Sequence, residues 1–329
     1  MNERLPWQAD TWSGLMARAS DERLPHALLL TGAEGIGKRD FATRLAGALL
    51  CQSPGEDGSA CGQCQACGLL AAGSHPDFRL VVPPEDKKVI PIDAIRAVGE
   101  FFALTSQYNG RQVAIIHPAE AMNLPAANAL LKTLEEPTPG ALLILVCSHP
   151  SRLLPTIRSR CQQVAFGLPA RTQAVAWLRE RLPADVDAET LLVLAEGAPL
   201  VALRLNEEGG LAARLGLVRQ WAALLEGRED PLAVAAQWKP WGLARSLQWL
   251  NSWVTDLIRL KSAGADAAIS NKDLAAQLQN IAERLDLKAL YAFLDQLTAY
   301  GRLAANNLNE QLALEDLMIA WRRSAARSG

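Results

Sequence analysis

Eight residues constrain this chain more than any others: Gly32-Ala33-Glu34-Gly35-Ile36-Gly37-Lys38-Arg39. They follow the apolar run Ala27-Leu28-Leu29-Leu30 and open the helical pattern from Phe41 to Leu50. Strand, glycine-rich loop and helix in that order are what a phosphate-binding loop requires. The glycines at 32, 35 and 37 let backbone N–H groups close on phosphates, and Lys38 meets the outer ones. Position 39 breaks the pattern. A Ser or Thr hydroxyl there would hold Mg²⁺, whereas the Arg39 guanidinium has no lone pair to donate and carries the wrong charge beside a divalent cation.

A second departure follows the run Gln112-Val113-Ala114-Ile115-Ile116, which reads as a buried parallel strand. A working ATPase of this type places an Asp for the metal directly after it and, in many cases, a Glu to polarise water. Those positions hold His117 and Pro118. Imidazole is a poor ligand for a hard, oxygen-seeking cation, and Pro has no side-chain proton acceptor. The expectation is a chain that does not hydrolyse ATP by itself.

With 329 residues, 50% of them hydrophobic, the chain can bury one substantial core or two to three smaller ones. No apolar stretch reaches membrane-spanning length, and Met1-Asn2-Glu3-Arg4-Leu5-Pro6 lacks a signal-peptide pattern, so a cytoplasmic protein is expected. A net charge of −2 argues against a chain whose main task is to coat nucleic acid. Any DNA contact is expected to be shared with partners.

Four of the six cysteines, Cys51, Cys61, Cys64 and Cys67, fall in one short stretch, the last three as C-x-x-C-x-x-C. In a reducing compartment four such thiolates suit a tetrahedral Zn²⁺ ion. The same run also begins ferredoxin-type clusters, so an iron–sulfur centre is the alternative. Softness of the ligands and the lack of an electron-transfer motif favour zinc. Cys147 and Cys161 lie in or beside strand-like runs and read as ordinary buried thiols.

Up to residue 167 the pattern alternates strands and helices, with strands at Ala27–Leu30, Phe78–Val82, Val113–Ile116, Leu142–Cys147 and Gln163–Phe166. This predicts an α/β fold, a parallel sheet with helices on both faces. From 168 to 208 helices at Thr172–Arg181 and Thr190–Ala195, interrupted by Gly197-Ala198-Pro199, predict a small helical unit. From 209 to 329 the pattern is helical throughout, with apolar spacing such as Trp249, Leu250, Trp253, Leu257 and Leu260. Six of the nine tryptophans lie past residue 210, which predicts a Trp-rich helical core; a partner interface lined by aromatics is the alternative.

The segment Asn128-Ala129-Leu130-Leu131-Lys132-Thr133-Leu134-Glu135-Glu136-Pro137, the strand Leu142–Cys147, and Leu154-Pro155-Thr156-Ile157-Arg158-Ser159-Arg160-Cys161 together resemble bacterial clamp-loader subunits of the AAA+ superfamily. With the altered phosphate loop and the cysteine cluster, the chain is similar to the delta-prime branch of the DNA polymerase III clamp loader. That resemblance implies an AAA+ core, a helical lid and a C-terminal all-helical collar that builds a five-membered arc. It implies gamma/tau ATPase and delta subunits as partners, and through them the sliding clamp and primer–template DNA. Ser159-Arg160-Cys161 matches the triplet that presents Arg160 as an arginine finger to ATP and Mg²⁺ held by a neighbouring subunit; a guanidinium arriving there neutralises charge developing on the γ-phosphate. A surface arginine at a helix end is the other reading of Arg160, and the assignment extends less securely to Arg158. Ser148 matches a polar sensor position near the γ-phosphate, although Ser after a strand is equally ordinary loop chemistry. The lid Arg that touches nucleotide in active relatives is matched by Leu200, so own-nucleotide binding is expected to be weak at most. An active ATPase of the gamma/tau kind is the alternative function, disfavoured by residues 39, 117, 118 and 200. A free-standing zinc nucleic-acid-binding module is a third, for which the stretch from Cys51 to Phe78 lacks stacking aromatics and basic charge.

Overall fold

A computed structural model describes residues 4–85, 87–108, 110–264, 267–303 and 308–325, so Met1, Asn2 and Glu3 of the N-terminal stretch lie outside it. The chain divides into two compact units, Met1–Arg181 with Gly197–Val201, and Leu182–Glu196 with Ala202–Gly329.

The first unit is built on five parallel strands, β1 (Ala27–Thr31), β2 (Phe78–Val81), β3 (Gln112–Ile116), β4 (Ala141–Cys147) and β5 (Gln162–Ala165), in the order β2-β3-β4-β1-β5. The three inner strands are almost continuous apolar runs and are buried along their length. Buried parallel strands need such runs because both faces are covered. The edges, Phe-Arg-Leu-Val and Gln-Gln-Val-Ala, are more polar and more exposed, which discourages pairing with another chain.

Side chains alternate between faces along each strand. Ala27, Leu29, Ala114, Ile116, Leu143, Leu145 and Cys147 enter one core, shared with α4 (Ile92–Ala103), α5 (Leu124–Glu135) and α6 (Pro155–Arg158). Leu28, Leu30, Val113, Ile115, Leu142, Ile144 and Val146 enter the other, against α1 (Ala9–Ser20) and α2 (Lys38–Leu50). The predicted strands are all present; β2 stops at Val81 and β5 begins at Gln162 and ends at Ala165, shifts of a single residue at the frayed ends of edge strands. Cys147 and Cys161 are buried, and burial pushes both thiols up to about 12.

The segment expected to form a lid contains α7 (Arg171–Arg179), α8 (Ala188–Leu194) and α9 (Pro199–Glu207). The indole of Trp177 on α7 meets Trp7 edge-on at 5.4 Å within the first unit. Helix α8 starts two residues before Thr190 because the Asp187 side chain caps it, accepting from the Glu189 amide.

The second unit is helical among its described residues, with α10 (Gly210–Leu225), α11 (Pro231–Trp238), α12 (Gly242–Ala263), α13 (Ala275–Arg284), α14 (Leu287–Leu303) and α15 (Glu310–Ala325). Trp221, Trp238, Trp249, Trp253 and Trp321 are buried, so these tryptophans are core residues. Trp221 and Trp321 stack with centroids 3.7 Å apart, and the Trp321 indole N–H donates to the Trp221 carbonyl at 3.0 Å. Arg214 is fully buried, pairing with Asp273 and donating to the Asn271 side chain. Asn271 is in turn held by Asp256, whose carboxylate accepts from the Ser270 and Asn271 amides at 2.9 and 2.8 Å. A buried cation is tolerated only when its partners are in place. Arg214→Ala should therefore destabilise this unit by about 3–5 kcal/mol, read as a lower urea midpoint by tryptophan fluorescence.

Candidate phosphate loop, cysteine knuckle and exposed arginine

The phosphate loop joins the C-terminal end of β1 to α2, the end of a parallel sheet where ligands of such folds collect. Its backbone demands glycine. At Gly32, with φ 141°, an added Cβ would collide with the Phe166 carbonyl oxygen; at Gly35, with φ 74°, it would collide with Val201. Val201 follows Leu200, whose amide donates to the Gly35 carbonyl at 3.0 Å. Leu200 and Val201 thus pack an aliphatic turn on the loop. From the other side the Trp7 indole donates to the Ile36 carbonyl at 3.0 Å, and the buried Gln8 amide donates to the carbonyls of Ile36 and Gly37, each at 3.0 Å.

Lys38 is 4% exposed. Its ammonium donates to the Gly32 carbonyl at 2.8 Å, the Ala33 carbonyl at 2.6 Å and the Ser148 hydroxyl at 3.2 Å. All three of its N–H donors thus have partners within the protein. Burial lowers its pKa, and the carboxylates of Glu120 and Glu34 oppose that shift. Arg39 is exposed, while His117 is half-buried with Nδ1 lacking a partner among the described residues. Burial and the charges of Arg39 and Lys38 push the His117 pKa down, against the carboxylates of Glu120 and Glu34. The structure therefore gathers Lys38, Arg39, His117 and Ser148 around the loop, but no carboxylate or hydroxyl stands at positions 39, 117 or 118.

One acidic residue of this region escaped the sequence reading. Glu120 Oε1 accepts from the Ser148 amide at 2.8 Å, the His149 amide at 3.0 Å and the His149 ring at 3.3 Å. Burial pushes its pKa up, but hydrogen bonds from backbone amides outweigh burial and hold it below the usual carboxylate range. Its spacing from the strand offers a faint signal; only the fold shows that this carboxylate ties the end of β4 to the end of β3.

The four sequence-predicted cysteines converge. Their sulfurs all lie within 4.8 Å of one another, with Cys51–Cys64 at 3.9 Å, Cys61–Cys67 at 4.0 Å and Cys51–Cys67 at 3.7 Å. Four thiolates at the usual Zn–S distance of about 2.3 Å stand about 3.8 Å apart in a tetrahedron, so the set fits one zinc ion. A polynuclear iron–sulfur cluster needs more room between its ligands. Backbone amides point at the sulfurs: Cys61 N to Cys51 Sγ at 3.3 Å, Cys64 N to Cys61 Sγ at 3.4 Å and Cys67 N to Cys64 Sγ at 3.4 Å. Donors so placed favour thiolates. Cys51 and Cys61 through Cys67 bracket the link from α2 to α3 (Gln65–Ala71), so a bound ion would close that loop.

Arg160 stands apart from the loop. Ile157 and Cys161 are buried with Leu153, Leu130 and Leu134, which fixes the backbone around it. The guanidinium itself is exposed, donating to the Thr156 carbonyl at 3.0 Å and pairing with Glu135 at 2.7 Å. Arg158 is less exposed, its Nε buried without a partner among the described residues.

Residues 7–169 match the family model described as DNA polymerase III, delta subunit, and residues 208–323 match DNA polymerase III, delta subunit, C terminal. The chain is 39% identical over 326 residues, 98% of each chain, to DNA polymerase III subunit delta' of Pseudomonas aeruginosa. The chain belongs to the DNA polymerase III delta-prime family. It is also 31% identical to the delta' subunit of Escherichia coli K12 over 317 residues, covering 95% of this chain and 94% of that one. DNA polymerase III subunit tau of Bacillus subtilis is 32% identical over 199 residues, 60% of this chain and 34% of that protein. Membership of the delta-prime family makes the chain a subunit of the DNA polymerase III clamp loader, a replication function. Among the described residues no helix is long and apolar enough to cross a membrane.

Purified under reducing conditions, the protein should carry one Zn²⁺ per chain by elemental analysis, and Cys64→Ser should release it. Iron in place of zinc, or no metal at all, in the parent protein would contradict the zinc assignment.

Proposed function

We propose that this chain is the non-hydrolysing member of a hetero-pentameric clamp loader and that its chemical contribution is made in trans. In this reading Arg160 reaches ATP and Mg²⁺ held by a neighbouring gamma/tau subunit, delta is a further partner, and the assembly loads the sliding clamp on primer–template DNA in the cytoplasm. Residues 1–167 serve as the AAA+ core, 168–208 as the lid and 209–329 as the collar, with the zinc knuckle at 51–67 stabilising the core.

The observation that carries this is the contrast between two cations. The Lys38 ammonium is buried and committed to Gly32, Ala33 and Ser148. The Arg160 guanidinium is exposed on a rigid support. Phosphoryl transfer needs Mg²⁺ ligands and a group that orients water, and Arg39, His117 and Pro118 supply neither. A guanidinium delivered from outside needs only an exposed fork and a fixed base. Leu200 and Val201, seated on the loop, support the same reading.

Isolated protein should show no Mg²⁺-dependent ATP turnover. In the reconstituted complex Arg160→Ala should still assemble, while the ATP site facing it loses on the order of 10³-fold in rate and clamp loading falls. Normal DNA-stimulated ATPase and normal loading by that mutant complex would overturn the proposal.

A further inference from the structure

Helix α5 ends with two acids, Glu135 and Glu136, where the helix macrodipole is negative and a cation is favoured. A carboxylate there opposes the local field unless a positive charge answers it. Arg160 answers Glu135, its Nη2 lying 2.7 Å from Glu135 Oε1 while Nη1 donates to the Thr156 carbonyl at 3.0 Å. The two residues sit on backbones fixed by one core, since Leu130 and Leu134 of α5 pack with Ile157 and Cys161 on either side of Arg160. Their side chains nonetheless face solvent, 37% exposed for Arg160 and 51% for Glu135.

Two consequences follow. A guanidinium has five N–H groups in a planar fork, and two are spent here, leaving three for an incoming anion. The pair is also solvated, and such surface pairs are weak enough for a polyphosphate to displace. We propose that Glu135 is a positioning residue for Arg160: it keeps the guanidinium extended and its charge offset until a neighbour's triphosphate competes for it. The proposal rests on Arg160 acting in trans, and it adds a second residue that sets how readily the finger engages.

Glu135→Gln keeps an oxygen acceptor but removes the charge, so Arg160 stays in place with its full positive charge available. In the reconstituted clamp loader at low salt, ATPase without DNA should rise about two- to fivefold, the range a surface ion pair can account for. The gain should appear mainly as a lower KM, shrink as salt is raised, and be largely absent in Glu135→Asp, which retains the charge. It should vanish in the Arg160→Ala background. Unchanged or reduced activity in Glu135→Gln, or the same gain in the Arg160→Ala background, would overturn the role given to Glu135. If Arg160→Ala alone leaves the ATPase untouched, the finger itself fails and Glu135 falls with it. A damaged Arg160→Ala complex beside an indifferent Glu135→Gln complex refutes Glu135 alone.

Discussion

The enclosure of the Lys38 ammonium by the carbonyls of its own loop organises much of the first unit. A buried cation must be answered on every side. The Gly32 and Ala33 carbonyls and the Ser148 hydroxyl answer it directly, and the Glu120 carboxylate holds the Ser148 amide in turn. That chain of contacts links the ends of β1, β3 and β4. The phosphate-loop motif thus serves as an internal brace, and Trp7, Gln8, Leu200 and Val201 close over the same loop. The loop is thus packed and hydrogen-bonded along its length.

In the proposed reading, the absence of metal ligands at positions 39, 117 and 118 and the burial of Lys38 go together. Without Mg²⁺ to share the charge of a triphosphate, holding the lysine free for phosphate gains little. In the assembly proposed above, other members hold the ATP, and an exposed arginine on a fixed support is a part such an assembly can use. The cysteine knuckle fits the same division of labour, since a closed tetrahedral set offers an ion no open position and so suits a structural role.

Much of the fold was legible because parallel strands buried on both faces must be apolar runs, and Ala27–Thr31, Gln112–Ile116 and Ala141–Cys147 are such runs. Their neighbours were not legible, because periodicity tells that a strand exists and not what it pairs with; the placement of β1 between β4 and β5 comes from the structure. The cysteines announced themselves by spacing. Trp7 and Gln8 did not, since their role depends on meeting loop carbonyls far along the chain. Glu120 is an ordinary acid in sequence and Glu135 is one letter of a longer family segment; the contacts of both come only from the amides and the guanidinium that the fold brings to them.

The central claim is that this chain's own nucleotide site has no metal-dependent function. Isothermal titration of ATP into the purified full-length protein, with and without Mg²⁺, tests it most directly. The account predicts weak or absent binding that Mg²⁺ does not tighten, because no oxygen ligand stands at positions 39, 117 or 118. Tight binding that requires Mg²⁺ and is lost in Lys38→Ala would contradict it.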